Sequence, residues 1–250
     1  MQAGRISDSA WLRRFSREAR ALARLQHENI VLTHDFGVVE GEAAYLVMEF
    51  VAGSTLRAEI DSGGINANTA PVWFHQLLDG VKAAHAAGIV HRDLKPENVL
   101  IARPGSGREC VKIADFGVAK WLTPEPGSVS LTVPGTIVGG LHYMSPEQLA
   151  GQQVDRRSDI FSIGVMVFEA LTGKIPFCGT NYAERIVSIL RESASFECSL
   201  HDAPALQTML RRRLARDPDE RFSSVEALQT ELIPRIQDYR SHIRDLAQYA

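Results

Sequence analysis

Cysteine is scarce in this chain, and no two cysteines stand close together. Cys110, Cys178 and Cys198 are scattered through 250 residues without a C-x-x-C spacing, which argues against a disulfide framework and a zinc cage and fits a reducing cytoplasm. An excess of charge of one sign is also missing. The 27 Lys and Arg nearly balance 30 Asp and Glu, a formal charge of -3, so there is no electrostatic ground for a nucleic-acid or anionic-membrane partner. The longest apolar run, DIFSIGVMVFEALTG at 159–173, is too short to span a membrane. It carries Asp159 and Glu169 and reads as a buried core helix. No signal peptide, internal repeat or low-complexity tract is visible. Finally, no lysine precedes Lys82.

What is present suffices for a folded core: 45% of residues are hydrophobic and 23% charged, enough for one large domain or two small lobes. Leu12, Phe15, Ala19, Leu22 and Leu25 recur at helical spacing and predict a helix over about 9–26, capped by Ser7 or Asp8. NIVLTHDFGVV and EAAYLVMEFV predict two strands joined by a turn at Glu40-Gly41. From Thr55 onward helical patterns dominate, so the shift near Gly53 predicts a small strand-bearing lobe followed by a larger helical one. The basic run Arg211 to Arg213 predicts a solvated helix face. In the tail, Leu232, Ile236, Tyr239, Ile243 and Leu246 form a stripe at alternating four- and three-residue steps. Such a stripe either packs on its own domain or starts a docking helix through which copies self-associate.

The chemistry is concentrated between residues 91 and 147. HRDLKPENVL occupies 91–100, DFG follows at 115–117, and SPE stands at 145–147. These motifs, in this order, resemble the catalytic loop, the metal-binding motif and the A-P-E motif of protein kinases. YMSPEQ is most similar to the eukaryotic-type serine/threonine kinases of bacteria. The resemblance runs from the first helix to about residue 233. It implies an α+β, bilobal protein-kinase-like fold with a truncated small β-lobe and a mainly helical large lobe. Residues 1–52 would be the remnant of the small lobe, 53–233 the large lobe and 234–250 a separate amphipathic helix.

Phosphoryl transfer asks little covalent help of a protein, so the work lies in aligning two oxygens and neutralising the charge of the triphosphate. The resemblance implies that Asp93 accepts or orients the substrate hydroxyl proton and that Lys95 reaches the transferring group as a compact cation. Asn98 and Asp115 offer hard oxygen ligands suited to magnesium (Mg2+) beside ATP. Taken singly, these residues also fit a turn, a loop cap and a helix N-cap. DLKPEN resembles the serine/threonine branch, so protein Ser/Thr is the implied acceptor. Backbone groups of Glu49 and Val51 would pair with adenine above Leu100, although ordinary strand packing explains Met48 and Leu100 equally well. His91 is expected to pack on Phe116 as a structural histidine. Arg92 resembles the arginine that meets an activation-loop phosphate, with Thr132 and Thr136 as candidate phosphosites or plain surface threonines. Glu147 and Arg221 match a buried ion pair, and Asp159 matches a brace of the catalytic loop.

The chain departs from the family at two places. In the family, the glutamate of the helix that here reads FSREARAL, Glu18, pairs with a lysine in V-A-I-K on the third strand of the small lobe. No such lysine is present, the G-x-G-x-x-G loop is absent, and Arg5 is a poor substitute because its planar fork differs from an ammonium. We expect Met1 to be an internal methionine directly after that strand, with a true truncation as the alternative. The chain as written is expected to leave Glu18 without its cation, the triphosphate facing water and a sheet edge exposed, with weak ATP binding and poor solubility. At Gly140 the family carries a threonine that bonds the catalytic aspartate and lysine. ARPGSGREC, between Asn98 and Asp115, reads as a hairpin extension. Two functional classes follow: an ATP-dependent protein kinase, or a non-catalytic kinase-like module that holds a partner.

Overall fold

The computed structural model describes residues 9–39, 43–63, 65, 68–105, 107–116, 140–177, 179–192, 194–195 and 203–248, and of 9–14, 43 and 240–248 the backbone alone. The first helix, α1, spans Ser9–Arg24. Phe15, Ala19 and Leu22, spaced three and four residues apart, are buried along it. Its expected caps, Ser7 and Asp8, and Arg5 lie outside the described residues.

Strands β1 (Thr33–Val39) and β2 (Ala43–Met48) form an antiparallel pair with Thr33 opposite Met48 and Val39 opposite Ala43. The turn expected at Glu40-Gly41 lies outside the described residues. Among those residues the pair has no third strand. Val39, Tyr45 and Val47 are exposed, and Phe50 just after β2 is 91% exposed. This small unit is tied to the rest through residues 29–31. Val31 N–H donates to the Ile113 carbonyl and Ile113 N–H to the Asn29 carbonyl, each at 2.9 Å, while the buried Asn29 amide donates to the Val111 carbonyl.

A second antiparallel sheet has the order β3 (Gly53–Thr55), β4 (Val99–Ala102), β5 (Cys110–Ile113). ARPGSGREC is accordingly the loop of the β4–β5 hairpin. Strand β3 was not legible in the sequence, because three residues are too few to show alternation. Gly53 is required there by close approach: a Cβ would fall 2.0 Å from the Ile101 carbonyl oxygen. On β4, Val99 and Ile101 face the core and Leu100 is half-buried on the opposite face.

The larger part is helical: α2 (Leu56–Asp61), α3 (Thr69–Ala86), α4 (Pro146–Leu149), α5 (Arg156–Thr172), α6 (Tyr182–Arg191), α7 (Pro204–Arg213) and α8 (Val225–Gln248). Helix α5 is buried continuously from Ser158 to Glu169, begins on the Asp155 cap and ends at Gly173 in the left-handed region. It is the predicted core helix, with α3, α7 and α8 packed around the same core.

Two expectations are corrected. No break separates residues 225–233 from a tail helix beginning at 234: α8 runs on through Pro234. Leu228, Leu232 and Ile236 are buried along it, and that burial outweighs the N–H that proline lacks. Tyr239 packs on the same core, so the first part of the stripe is spent on the domain itself, while the side chains of Ile243 and Leu246 lie outside the described residues. Arg211 and Arg212 are solvated as expected, but Arg213 is fully buried.

Candidate active site

The site is built around Asp159, a fully buried carboxylate near the start of α5. Its Oδ2 lies 2.7 Å from His85 Nε2 and accepts from the His91 N–H at 2.9 Å, and its Oδ1 accepts from the Arg92 N–H at 2.8 Å. Three donors on one buried anion fix the turn at 91–92, where Arg92 adopts a positive φ of 64°. Such a conformation persists only where surrounding contacts over-determine it. Gln148 on α4 donates to the Arg92 carbonyl at 2.7 Å and holds the loop from the other side.

Beyond that turn three polar residues converge. The Lys95 ammonium lies 3.0 Å from Asp93 Oδ2. The Asn98 side-chain amide donates to the Asp93 carbonyl at 2.9 Å and to Oδ2 at 3.3 Å. Asn98 sits in a 3-10 turn, Pro96–Asn98, and is buried, whereas Asp93 and Lys95 remain partly open to solvent. The Ala114 N–H donates to the Asn98 carbonyl at 2.9 Å, so Asp115, the next residue, emerges beside Asn98. Asp115 is exposed and has φ 56°. Of the four residues the sequence grouped, Asp93, Lys95 and Asn98 are in mutual contact and Asp115 follows the residue bonded to the Asn98 backbone.

His91 is the packed histidine the sequence led us to expect. It is fully buried, its ring lies 4.5 Å from that of Phe116, and Nε2 contacts the Ala114 carbonyl at 2.9 Å. Burial pushes its pKa below the ordinary value, against the pull of Asp159. Glu147 and Arg221 form the expected ion pair through two contacts of 2.8 Å, with almost no exposure on either side.

Other candidates fare differently. Glu49 uses its side chain structurally: Oε1 accepts from the Leu32 N–H at 2.9 Å and from Lys112 Nζ at 2.7 Å. Burial opposes its ionisation, but these two donors prevail and hold its carboxyl below the ordinary range. Its backbone N–H donates to the Leu32 carbonyl. Val51 follows in a half-buried loop. Glu18, for which the chain offers no strand-3 lysine, lies 3.9 Å from the exposed guanidinium of its neighbour Arg17. Thr132 and Thr136 lie outside the described residues. At Gly140 a Cβ would stand 3.8 Å from Lys95 Nζ, an ordinary contact, so the position borders the catalytic loop as the family pattern implies.

The sequence did not reveal Arg57 on α2. Its guanidinium holds the buried Glu169 at 2.9 and 3.0 Å. An acid inside the apolar run 159–173 signalled that some cation must meet it, but that cation lies 112 residues away in the chain.

A small strand unit set on a helical body, with Asp93, Lys95 and Asn98 joined and Asp115 emerging beside them, has the architecture of a phosphotransferase of the protein kinase fold. The protein kinase domain family model matches residues 1–233, and the chain belongs to that family. It is 39% identical over 229 residues to the probable serine/threonine-protein kinase PknB of Lactococcus lactis, covering 90% of this chain and 35% of that protein. It is 34% identical to serine/threonine-protein kinase PrkC of Bacillus subtilis, covering 90% and 34%. The chain thus spans about a third of the length of these curated relatives and groups with the eukaryotic-type serine/threonine kinases of bacteria. Among solved structures, the Mycobacterium tuberculosis PknI kinase domain shares the fold, with TM-score 0.70 at 23% identity over 94% of this chain and 83% of that one. Rad53 in complex with AMP-PNP matches with TM-score 0.70 at 30% identity, covering 89% and 54%.

Proposed function

We propose that this domain transfers the γ-phosphate of ATP to serine and threonine hydroxyls of proteins. The observation that carries this reading is the contact of Asp93 with both Lys95 and Asn98 on a loop braced by Asp159. The acceptor oxygen forms the new bond to phosphorus, its proton passes to or is oriented by Asp93, and the bond to the β-phosphate breaks with its electrons leaving on ADP. Lys95 places a cation against the negative charge of the transferred group.

The donor set fits a hard divalent cation. The Asn98 amide nitrogen is spent on Asp93, its Oδ1 makes no hydrogen bond among the described residues, and the exposed Asp115 follows Ala114, whose N–H bonds the Asn98 carbonyl. These two residues would hold Mg2+, which takes few protein ligands and keeps its waters. When bound, the ion would neutralise charge on the phosphates.

Backbone groups of Glu49 and Val51 would receive the adenine, and the half-buried Leu100 would floor it. A phosphate on Thr132 or Thr136 would meet Arg92 and order the loop. Self-association would use the end of α8 beyond Tyr239, and the scarce cysteines suit a cytoplasmic setting.

Transfer of labelled phosphate to a generic protein acceptor, with Mg2+ and ATP, tests the reading. Asp93→Asn is expected to lower the rate roughly 100-fold or more. Transfer that survives this substitution refutes the assignment, and nucleotide binding without transfer by the wild type favours the partner-holding module. Mapping label on the chain itself tests Thr132 and Thr136, and sedimentation before and after removal of 240–250 tests self-association.

A further inference from the structure

Arg57 is the centre of a charge cluster that the transfer site does not use. Besides Glu169, its guanidinium reaches Glu97 at 3.3 Å through Nε and Asp61 at 3.2 Å through Nη1. The Tyr143 hydroxyl donates to Glu169 Oε2 at 2.5 Å and accepts from Arg57 Nη2. One cation therefore serves three carboxylates. Glu169 is 8% exposed, while Glu97 and Asp61 are 40% and 62% exposed, so one anion is sealed in and two face solvent.

Its neighbours belong to the turns that adjoin Asp93 and Lys95. Glu97 lies in the Pro96–Asn98 turn, four residues past Asp93, and Tyr143 closes the Gly140–Tyr143 turn whose first residue lies against Lys95. An extended residue advances roughly 3.3–3.6 Å. A peptide presenting its hydroxyl to Asp93 would therefore carry a side chain two or three positions away across this cluster. Without Arg57 the cluster would offer the buried Glu169 and the solvent-facing Glu97 and Asp61, carboxylates that a guanidinium satisfies in paired hydrogen bonds.

We propose that Arg57 sets acceptor specificity: it fills from within an acidic subsite beside the catalytic loop, so acceptors with arginine near the serine or threonine gain nothing, and its removal creates a kinase that selects them. This rests on the transfer function proposed above.

The test is kcat/KM on threonine peptides in which a single arginine is moved through the three positions on each side, with alanine peptides as reference. Wild type is expected to discriminate by less than about 3-fold at every position, and Arg57→Ala to favour one arginine position by roughly 10-fold or more. Adding Glu97→Gln to Arg57→Ala should erode that preference. Should Arg57→Ala strand Glu169 and fail to fold, Arg57→Gln keeps an amide donor for Glu169 and carries the same expectation. A strong arginine preference in the wild type, or folded variants that gain none, overturns the proposal. A wild type without any transfer instead defeats the functional reading on which it rests.

Discussion

Replacing Arg213 by methionine is expected to stabilise the domain. The side chain is fully buried in α7, and its Nε, Nη1 and Nη2 make no hydrogen bond among the described residues. Burial pushes the guanidinium pKa well below its ordinary value, down to about 9, with Glu231 pulling the other way. At about 1.4 kcal/mol per tenfold change in proton affinity, the buried charge is disfavoured by roughly 5 kcal/mol. Methionine has similar reach, no charge and enough flexibility to fill the space. Exchanging buried ions for apolar side chains has yielded about 1–4 kcal/mol elsewhere, so a gain of about 2–4 kcal/mol is expected. At about 2–4 °C per kcal/mol for a domain of this size, Tm should rise by roughly 5–15 °C. Because the folded pKa lies below the unfolded one, the unfolded chain binds the extra proton as pH climbs past about 9. Wild-type stability therefore rises there, and the advantage of the variant should shrink between pH 8 and 10.5. Thermal and urea unfolding of both proteins at pH 7, 8 and 10.5 measure this. A lower Tm for Arg213→Met at pH 7, or a difference that does not change with pH, refutes the reasoning.

Two further outcomes follow from the site. Glu147→Gln leaves the Arg221 guanidinium buried without its anion and should cost about 3–5 kcal/mol in urea unfolding. Burial opposes ionisation of Glu147, but the Arg221 contacts prevail and lower its pKa below 4.5. Its contribution is present above that value and lost as pH falls through the folded pKa, so the acid limb of the wild type should be steeper than that of the variant. Gly140→Thr places a hydroxyl within reach of Lys95, where a Cβ meets only ordinary contacts. One added hydrogen bond of about 0.5–1.5 kcal/mol should raise kcat/KM roughly 2- to 10-fold, and a lower value would show that the hydroxyl does not reach the loop.

Much of the site was legible because its parts are close in the chain. Asp93, Lys95 and Asn98 fall within six residues, and the contacts among them are made by one loop and one 3-10 turn. Helices α1 and α5 were visible for a similar reason: one buries a face and the other its whole girth, at a spacing the residues themselves display. The boundary at 234 followed the end of the family resemblance, whereas the apolar stripe already crossed it at Leu232 and Ile236, the residues that hold α8 against its neighbours.

By itself, then, the sequence determined the family, the first and the core helix, and the candidate transfer residues, all of which depend on near neighbours or on residue type. Tertiary structure alone decided that Arg57 meets Glu169 and Glu97, that Arg213 is sealed from water while Arg212 is not, and that β3 pairs with β4. Those outcomes depend on which distant surfaces the packed core presses together, and the free energy of a charge is set by the surroundings it ends in.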